Sequence, residues 1–136
     1  NEQIEEYSVL RAYMAIDRAD VCVIMIDATE GFTEQDSKVA GYAHEQGKAS
    51  VIAINKWDAI EKDGKTMQEF TKKLAVDYSY MSYAAFVFIS ALTGQRVDKL
   101  FEQIMYTYSQ NIRRISTGTP TDMPGYATAS VQPPAD

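Results

Sequence analysis

The chain has 136 residues, 46% hydrophobic and 24% charged, which is typical of one globular domain. Its formal net charge of −6 argues against nucleic-acid binding by this segment alone. We find no signal-peptide pattern and no apolar stretch of about 20 residues, so no membrane role is predicted. The single cysteine, Cys22, cannot form an intrachain disulfide and indicates a reducing, cytoplasmic setting.

The chain opens with a helical pattern that is followed by a strand pattern. Residues 2–17 predict a helix, because apolar residues recur at intervals of three and four. These residues are Tyr7, Leu10 and Met14. The run VCVIMI at 21–26 is fully apolar, as buried parallel strands are. Asp27 ends this strand, where it could serve catalysis or cap backbone amides as a loop carboxylate. We favour the second interpretation.

A second helix is predicted to begin at Thr33, because Asp36 follows three residues later in a capping-box pattern. Its predicted inner face comprises Val39, Ala40 and Ala43. Gly47 is the expected stop of this helix. His44, the only histidine, lies on the helix flank without a carboxylate or cysteine partner. We therefore interpret His44 as a surface residue and not as a catalytic base.

The apolar run 50–54 predicts the second strand, which ends abruptly in Asn55-Lys56-Trp57-Asp58. In open α/β sheets, ligands bind beyond the carboxyl ends of the strands. An ionised Asp58 can accept the two parallel donors of guanine, N1–H and the 2-amino group, whereas adenine has neither. Asn55 can bond the base edge and tie neighbouring loops together, and the Lys56 stem can lie along the base while its ammonium stays in water. The alternative interpretation is a solvated polar turn.

The segment after this turn predicts another helix. Thr66 to Glu69, reading TMQE, has the full capping-box pattern. The predicted inner face of the helix comprises Met67, Phe70 and Leu74. The tyrosine-rich segment 78–83 could stack RNA bases, but no basic residues interleave it. We therefore expect these tyrosines to pack beneath the loop that joins this helix to the next strand.

A second polar turn follows the third predicted strand, the apolar run 86–89. This turn reads Ser90-Ala91-Leu92. Backbone N–H groups in such a turn can donate to the 6-oxo oxygen of guanine, and the small Ala91 permits close approach. The two turns together predict a guanine site. Its predicted residues are Asn55, Lys56, Asp58, Ser90, Ala91 and Leu92.

Residues 97–112 have the clearest helical pattern, an apolar stripe that is expected to cover one face of the sheet. The stripe comprises Val97, Leu100, Phe101, Ile104, Met105, Tyr108 and Ile112. From residue 116 onward prolines and glycines are frequent and no apolar period remains. We therefore predict a domain at 1–115 and a disordered tail or linker at 116–136.

Four segments resemble a known family of bacterial GTPases. ATEGFTEQD at 28–36, INKWD at 54–58, FISALTGQRVDKLF at 88–101 and RRIST at 113–117 resemble the second GTPase domain of the Der (EngA) family, over residues 2–117. YSVLRA at 7–12 points to Der in particular. The resemblance implies a three-layer α/β P-loop NTPase-like fold, GTP or GDP as ligand, and a role in assembly of the large ribosomal subunit. The tail departs from the KH-like domain that follows in that family.

The phosphate-binding signature of such enzymes is absent from this chain. None of the seven glycines lies in G-x-x-x-x-G-K-[ST], and no D-x-x-G turn is present. We therefore predict a partial fold of three parallel strands with flanking helices, without catalytic residues or Mg²⁺ ligands. GTP hydrolysis and Mg²⁺ are expected only in a complete domain.

Two alternatives stay open. They are another translational-type GTPase assembly factor and a non-catalytic docking module with a GTPase-like fold. In such a partial fold the strand at 21–26 lacks the neighbour that carries the phosphate loop. It is then expected to present an unpaired edge and to promote self-association.

Overall fold

The computed structural model describes residues 2–60 and 65–118, in which helices and strands alternate. The elements are α1 (Glu2–Arg18), β1 (Val21–Asp27), α2 (Glu34–Glu45), β2 (Ala49–Asn55), α3 (Thr66–Asp77), β3 (Ala85–Phe88) and α4 (Val97–Gly118), with short 3-10 helices at Trp57–Ala59 and Ser79–Met81. Every predicted helix and strand is present. Residues 116–118 of the predicted tail are the end of α4, so the prediction was wrong for them, and the rest of the tail, from residue 119 onward, lies outside the described residues.

The strands form one parallel sheet in the order β1-β2-β3. At the carboxyl ends, Asp27 of β1 lies opposite Asn55 of β2, and Ile54 of β2 lies opposite Phe88 of β3. All three strands therefore end at the same edge of the sheet. This arrangement confirms the predicted α/β class, with three parallel strands and flanking helices.

One face of the sheet carries the larger hydrophobic core. Ile26 and Ile54 are fully buried there, as are Ala40 and Ala43 of α2. The inner face that the sequence predicted for α2 is therefore confirmed. The inner face predicted for α3 is also confirmed, because Leu74 is fully buried while Met67 and Phe70 pack against the same core.

The other face of the sheet is only partly covered by α4. Leu100 is buried against the sheet, with Ile104 and Tyr108 packed beside it. Phe101 and Met105, predicted to belong to the same buried stripe, are 61% and 60% exposed. The prediction was wrong for these two residues because the contact between this helix and the sheet is narrower than the stripe. Val23 and Met25 of β1, which point to this face, are exposed as well.

The ends of α2 follow from its sequence. Thr33 is the N-cap, its Oγ1 accepts the Asp36 N–H, and an Asp36 carboxylate oxygen accepts the Thr33 N–H, so the predicted capping box is confirmed. At the other end Gly47 adopts φ +68, a conformation that glycine tolerates best. Its N–H donates to His44 O, and the Lys48 N–H donates to Ala43 O, which is the Schellman arrangement.

The capping box predicted at residues 66–69 is wrong. Lys65 is the N-cap of α3 and makes no side-chain cap hydrogen bond, and Thr66 is already the first helical residue. The Glu69 N–H donates to Lys65 O at 2.9 Å, so this donor is not available to the Thr66 hydroxyl. The helix therefore begins one residue earlier than the pattern indicated.

Helix α1 packs through a face that its apolar pattern did not mark. Tyr7, Leu10 and Met14 are exposed. The contact with α2 instead stacks Tyr13 on Tyr42, with ring centroids 4.2 Å apart. Helix α1 is therefore held on the domain by the buried Ile16 and this aromatic pair, and not by the predicted stripe.

The tyrosine-rich segment is divided between core and surface. Tyr78 is 1% exposed, as predicted, whereas Tyr80 and Tyr83 are exposed, which corrects the prediction for those two. They lie around His44, which is exposed as predicted and whose Nδ1 is 3.0 Å from the Tyr83 hydroxyl. The packing argument therefore holds only for the first tyrosine of the segment.

Helix α4 extends to Gly118, six residues beyond the predicted end at 112. The predicted end was therefore wrong, because the apolar stripe marks where the helix meets the sheet and not where its backbone stops. No helix of the described residues is long and apolar enough to span a membrane.

Candidate functional site

The two turns predicted to bind a ligand meet at the carboxyl edge of the sheet. The Ile89 N–H donates to Ile54 O at 2.8 Å, and the Trp57 N–H donates back to Ile89 O at 3.1 Å. These bonds continue the pairing of β2 and β3 beyond the last strand residues. The backbone therefore holds the segment after β2 against the segment after β3.

A side chain joins the same two turns. The Asn55 Oδ1 accepts the Ala91 N–H at 3.0 Å. This is the tie between loops that the sequence analysis predicted for Asn55. It also occupies the Ala91 N–H, one of the backbone donors of the turn that was predicted to bind the 6-oxo oxygen of guanine. The neighbouring Leu92 N–H donates to no acceptor in the described ranges. It is therefore the backbone donor available to the 6-oxo oxygen of guanine.

Asp58 presents an open carboxylate beside this tie. It lies in the 3-10 helix Trp57–Ala59, which is anchored by the buried Trp57 ring against Phe88 and Phe70 at centroid distances of 4.6 and 5.5 Å. Asp58 is exposed, and within residues 2–60 and 65–118 its carboxylate has no hydrogen bond or ion pair. An anchored backbone with a free acceptor-only fork suits a ligand that offers two parallel donors.

Lys56 points to the first strand. Its ammonium lies 2.7 Å from Asp27 Oδ2, so the sequence expectation that it simply stays in water is corrected. The Lys56 backbone is left-handed, with φ 62, which non-glycine residues rarely adopt. This conformation turns the chain sharply between Asn55 at the strand end and the buried Trp57.

Asp27 is held from two sides. Its Oδ1 accepts the Thr29 N–H at 2.9 Å and the Thr29 hydroxyl at 2.6 Å, which confirms the predicted amide-capping role. Hydrogen bonds from Lys56 and Thr29 lower the pKa of Asp27 from 3.8 to about 2, and Asp27 in turn raises the pKa of Lys56. The ion pair was missed in the sequence. Parallel register would have indicated it, since Asp27 lies opposite Asn55, next to Lys56.

Ser90 shapes the second turn from inside. Its side chain is fully buried, its Oγ accepts the Thr93 N–H at 3.1 Å, and its carbonyl oxygen accepts the Gly94 N–H at 2.8 Å. Gly94 adopts φ +81 to close this turn. The contribution of Ser90 to a ligand site is therefore to the shape of the turn. Leu92 next to it is 89% exposed.

The described residues do not fit a metal ion. No group of three His, Cys, Asp or Glu side chains in residues 2–60 and 65–118 could hold one. The Mg²⁺ that the family resemblance implies for a complete domain is therefore assigned no ligand among these residues. Cys22 is buried, and burial raises the pKa of its thiol to about 11, so it is not a reactive thiolate near neutral pH.

The parallel α/β fold and the two turns at the carboxyl edge of its sheet define a GTP-binding domain. The sequence model of the elongation factor Tu GTP binding domain family matches residues 8–110, and the chain belongs to this family. It is 56% identical over its whole length to the GTPase Der of Acetivibrio thermocellus and 54% identical to that of Ruminiclostridium cellulolyticum. The resemblance to Der drawn from the motifs is confirmed. The chain spans 31% of the length of each of these relatives.

Solved structures agree on the fold. Aquifex aeolicus Era bound to GDP and AlF4⁻ matches with a TM-score of 0.61 and 28% identity, over 70% of this chain and 31% of that chain. Era in complex with MgGDPNP and a 16S ribosomal RNA segment matches equally well, with a TM-score of 0.61. A probable GTP-binding protein, engB, matches with a TM-score of 0.59 and 22% identity, over 78% of this chain and 66% of that chain. The predicted P-loop GTPase-like fold is confirmed.

Proposed function

We propose that this chain binds the guanine base of GTP and GDP and supplies the base-recognition part of a GTPase. The observation that carries the proposal is the open Asp58 carboxylate beside the hydrogen bond between Asn55 and Ala91. That bond fixes the relative position of the two turns, so a base placed against one turn also meets the other.

Guanine fits the donors and acceptors of these turns. Asp58 would accept the N1–H and 2-amino groups, while the Asn55 side-chain amide and the Leu92 N–H would donate to the base edge. Hydrogen bonds to charged groups contribute about 1.5–3 kcal/mol each. Adenine lacks both donors and would leave Asp58 partly unpaired, so guanine should be preferred strongly. Ala91 leaves room for the base because its side chain is small.

For the longer protein we propose hydrolysis of GTP to GDP and phosphate and a role in large ribosomal subunit assembly in the cytoplasm. The supports are the family, the similarity to proteins named GTPase Der, and the motif resemblance to a family of ribosome-assembly factors. An Era structure that contains a segment of 16S ribosomal RNA supports a ribosomal partner for this fold in general, but 16S RNA belongs to the small subunit, so the large subunit is proposed from the motif resemblance alone. We assign no hydrolytic role to the described residues, since the phosphate and Mg²⁺ signatures are absent from the sequence.

Ligand-observed NMR on the chain tests base recognition. We expect guanosine and GDP to give saturation transfer, and, in protein-observed spectra of the labelled chain, to shift the amide signals of Asn55, Asp58 and Leu92. Adenosine and ADP should do neither. Asp58→Ala should abolish the guanosine signal, whereas Asp77→Ala, which removes an exposed carboxylate at the end of α3, should not. Equal responses to guanosine and adenosine would refute the proposal.

The ribosomal role needs a separate measurement. The chain and the longer protein should be sedimented with purified ribosomal subunits in the presence of GDP or a non-hydrolysable GTP analogue. We expect nucleotide-dependent co-sedimentation of the longer protein with the large subunit. Nucleotide-independent binding by the chain alone would favour the docking module instead.

A further inference from the structure

We propose that Asp27 is a positioning residue for guanine-nucleotide binding, acting through Lys56, and this inference rests on the proposed function. The family motif names Lys56 but not Asp27. The structure joins them by an ion pair of 2.7 Å between Lys56 Nζ and Asp27 Oδ2. Asp27 would thus extend the base site from the turn after β2 to the end of β1.

The Asp27 carboxylate is oriented before Lys56 reaches it. Thr29 donates its N–H and its hydroxyl to Oδ1, at 2.9 and 2.6 Å. Only Oδ2 is left for the ammonium. A carboxylate with one oxygen fixed in this way presents the other at a defined point, whereas a freely rotating carboxylate would follow the lysine. The side chain of Asp27 is partly covered, with 24% exposure.

Lys56 gains a fixed stem from this contact. Both ends of the side chain are constrained, the backbone by its left-handed conformation with φ 62 and the ammonium by Asp27. The Lys56 side chain as a whole is 57% exposed, so its methylene stem is accessible to a planar ligand. Glu30 adds only a longer-range attraction to Lys56 and makes no ion pair with it in the described residues, so it does not replace Asp27.

The consequence for binding is pre-organisation. Without Asp27, the long lysine side chain samples many rotamers, and a base that binds against its stem must first select one of them. With Asp27, the Lys56 side chain already holds one rotamer in the free protein. Removing the carboxylate should therefore weaken nucleotide binding, although Asp27 does not contact the base in this account.

A double-mutant cycle tests whether Asp27 acts through Lys56. The variants are Asp27→Asn, which keeps the shape and the Oδ1 acceptor, Lys56→Met, which keeps an apolar stem without the ammonium, and the double variant. The dissociation constant of GDP is measured for each by NMR titration. Each single variant should bind GDP about three- to fivefold more weakly than the wild type, and the double variant no more weakly than Lys56→Met alone.

Controls separate positioning from folding and from charge. Glu102→Gln removes one exposed carboxylate from the Lys99 pair on α4, the same change of charge at a distance, and should leave GDP binding unchanged. Equal losses from Asp27→Asn in the wild-type and Lys56→Met backgrounds would show a general structural role and overturn the inference. Unchanged GDP binding in Asp27→Asn, with guanine preference intact, would overturn this inference and leave the proposed function standing. A wild-type chain without guanine preference would refute the proposed function, and the inference with it.

Discussion

Asn55 and Ala91 are 36 residues apart in the sequence, yet Asn55 Oδ1 accepts the Ala91 N–H at 3.0 Å. Asn55 is the last residue of β2 and Ala91 follows β3, at the same edge of the parallel sheet. The other hydrogen bonds of this turn, such as those that Ser90 accepts, lie within the turn, whereas this bond satisfies a backbone donor from the neighbouring strand end. It therefore links the geometry of the candidate base site to the stability of the domain.

Asn55→Ala should destabilise the domain by about 1 kcal/mol, because the Ala91 N–H loses a partner that is only partly replaced by water. Urea unfolding followed by circular dichroism measures this change. Gln68→Ala is the matched control, since Gln68 is an exposed amide on α3, and its unfolding free energy should stay near that of the wild type. Equal stability of all three proteins would show that the link contributes nothing.

The ion pair between Asp27 and Lys56 predicts a defined pH dependence. The pKa of Asp27 is lowered to about 2 in the folded chain from an ordinary 3.8, so the pair stabilises the fold above pH 3.8. This contribution declines as the pH falls from 3.8 toward 2. The melting temperature of the wild type should exceed that of Asp27→Asn by a constant amount from pH 5 to 8, and the difference should shrink below pH 4. A difference that changes between pH 6 and 8 would contradict this assignment.

Tyr78 buries a hydroxyl without a hydrogen-bond partner in the described part of the chain. Burial raises the pKa of this phenol, as expected for a group held away from water. Tyr78→Phe should therefore leave stability unchanged or raise it by up to about 1 kcal/mol. Tyr42→Phe is the matched control, because the Tyr42 hydroxyl donates to Asp17 at 2.7 Å, and it should be neutral or destabilising. A clear loss of stability in Tyr78→Phe would indicate that its hydroxyl is bonded.

The exposed apolar surface of β1 predicts self-association of the chain. In the described residues β1 pairs only with β2, and Val23 and Met25 lie exposed on the face that also exposes Phe101 and Met105. Antiparallel pairing of β1 with its copy would place these residues of both copies on the same face. Sedimentation velocity should show a concentration-dependent dimer, and Met25→Lys should shift it to monomer. A monomeric wild type at high concentration would contradict the prediction.

Periodicity and turn chemistry predicted most of the fold. Ala40 and Ala43 were placed correctly because a helix packed on a sheet buries a regular face, and Thr33 with Asp36 forms the capping box that its spacing indicated. The stripe predicted on α4 was wrong for Phe101 and Met105. Whether Phe101 is buried depends on what else covers the sheet, and that is a property of tertiary structure that the helical period does not contain.

The site was predictable where a local motif carries the chemistry. Asn55 and Asp58 were identified from four consecutive residues, and the structure places both at the sheet edge. Asp27 was interpreted only as a capping carboxylate, because its pairing with Lys56 depends on strand register between β1 and β2. Use of the Ala91 N–H within the protein likewise depends on how closely two turns approach.

Asp58 determines the preference for guanine over other bases, and a change of base preference tests this role most directly. Asparagine at this position can still accept the N1–H through its oxygen, but it offers an amide donor where Asp58 offers an acceptor, and this matches the 2-oxo group of xanthine. Guanosine and xanthosine should be titrated into the wild type and Asp58→Asn by ligand-observed NMR. The account predicts that the wild type prefers guanosine and that Asp58→Asn prefers xanthosine. Unchanged guanosine binding in Asp58→Asn, with no gain for xanthosine, would contradict it.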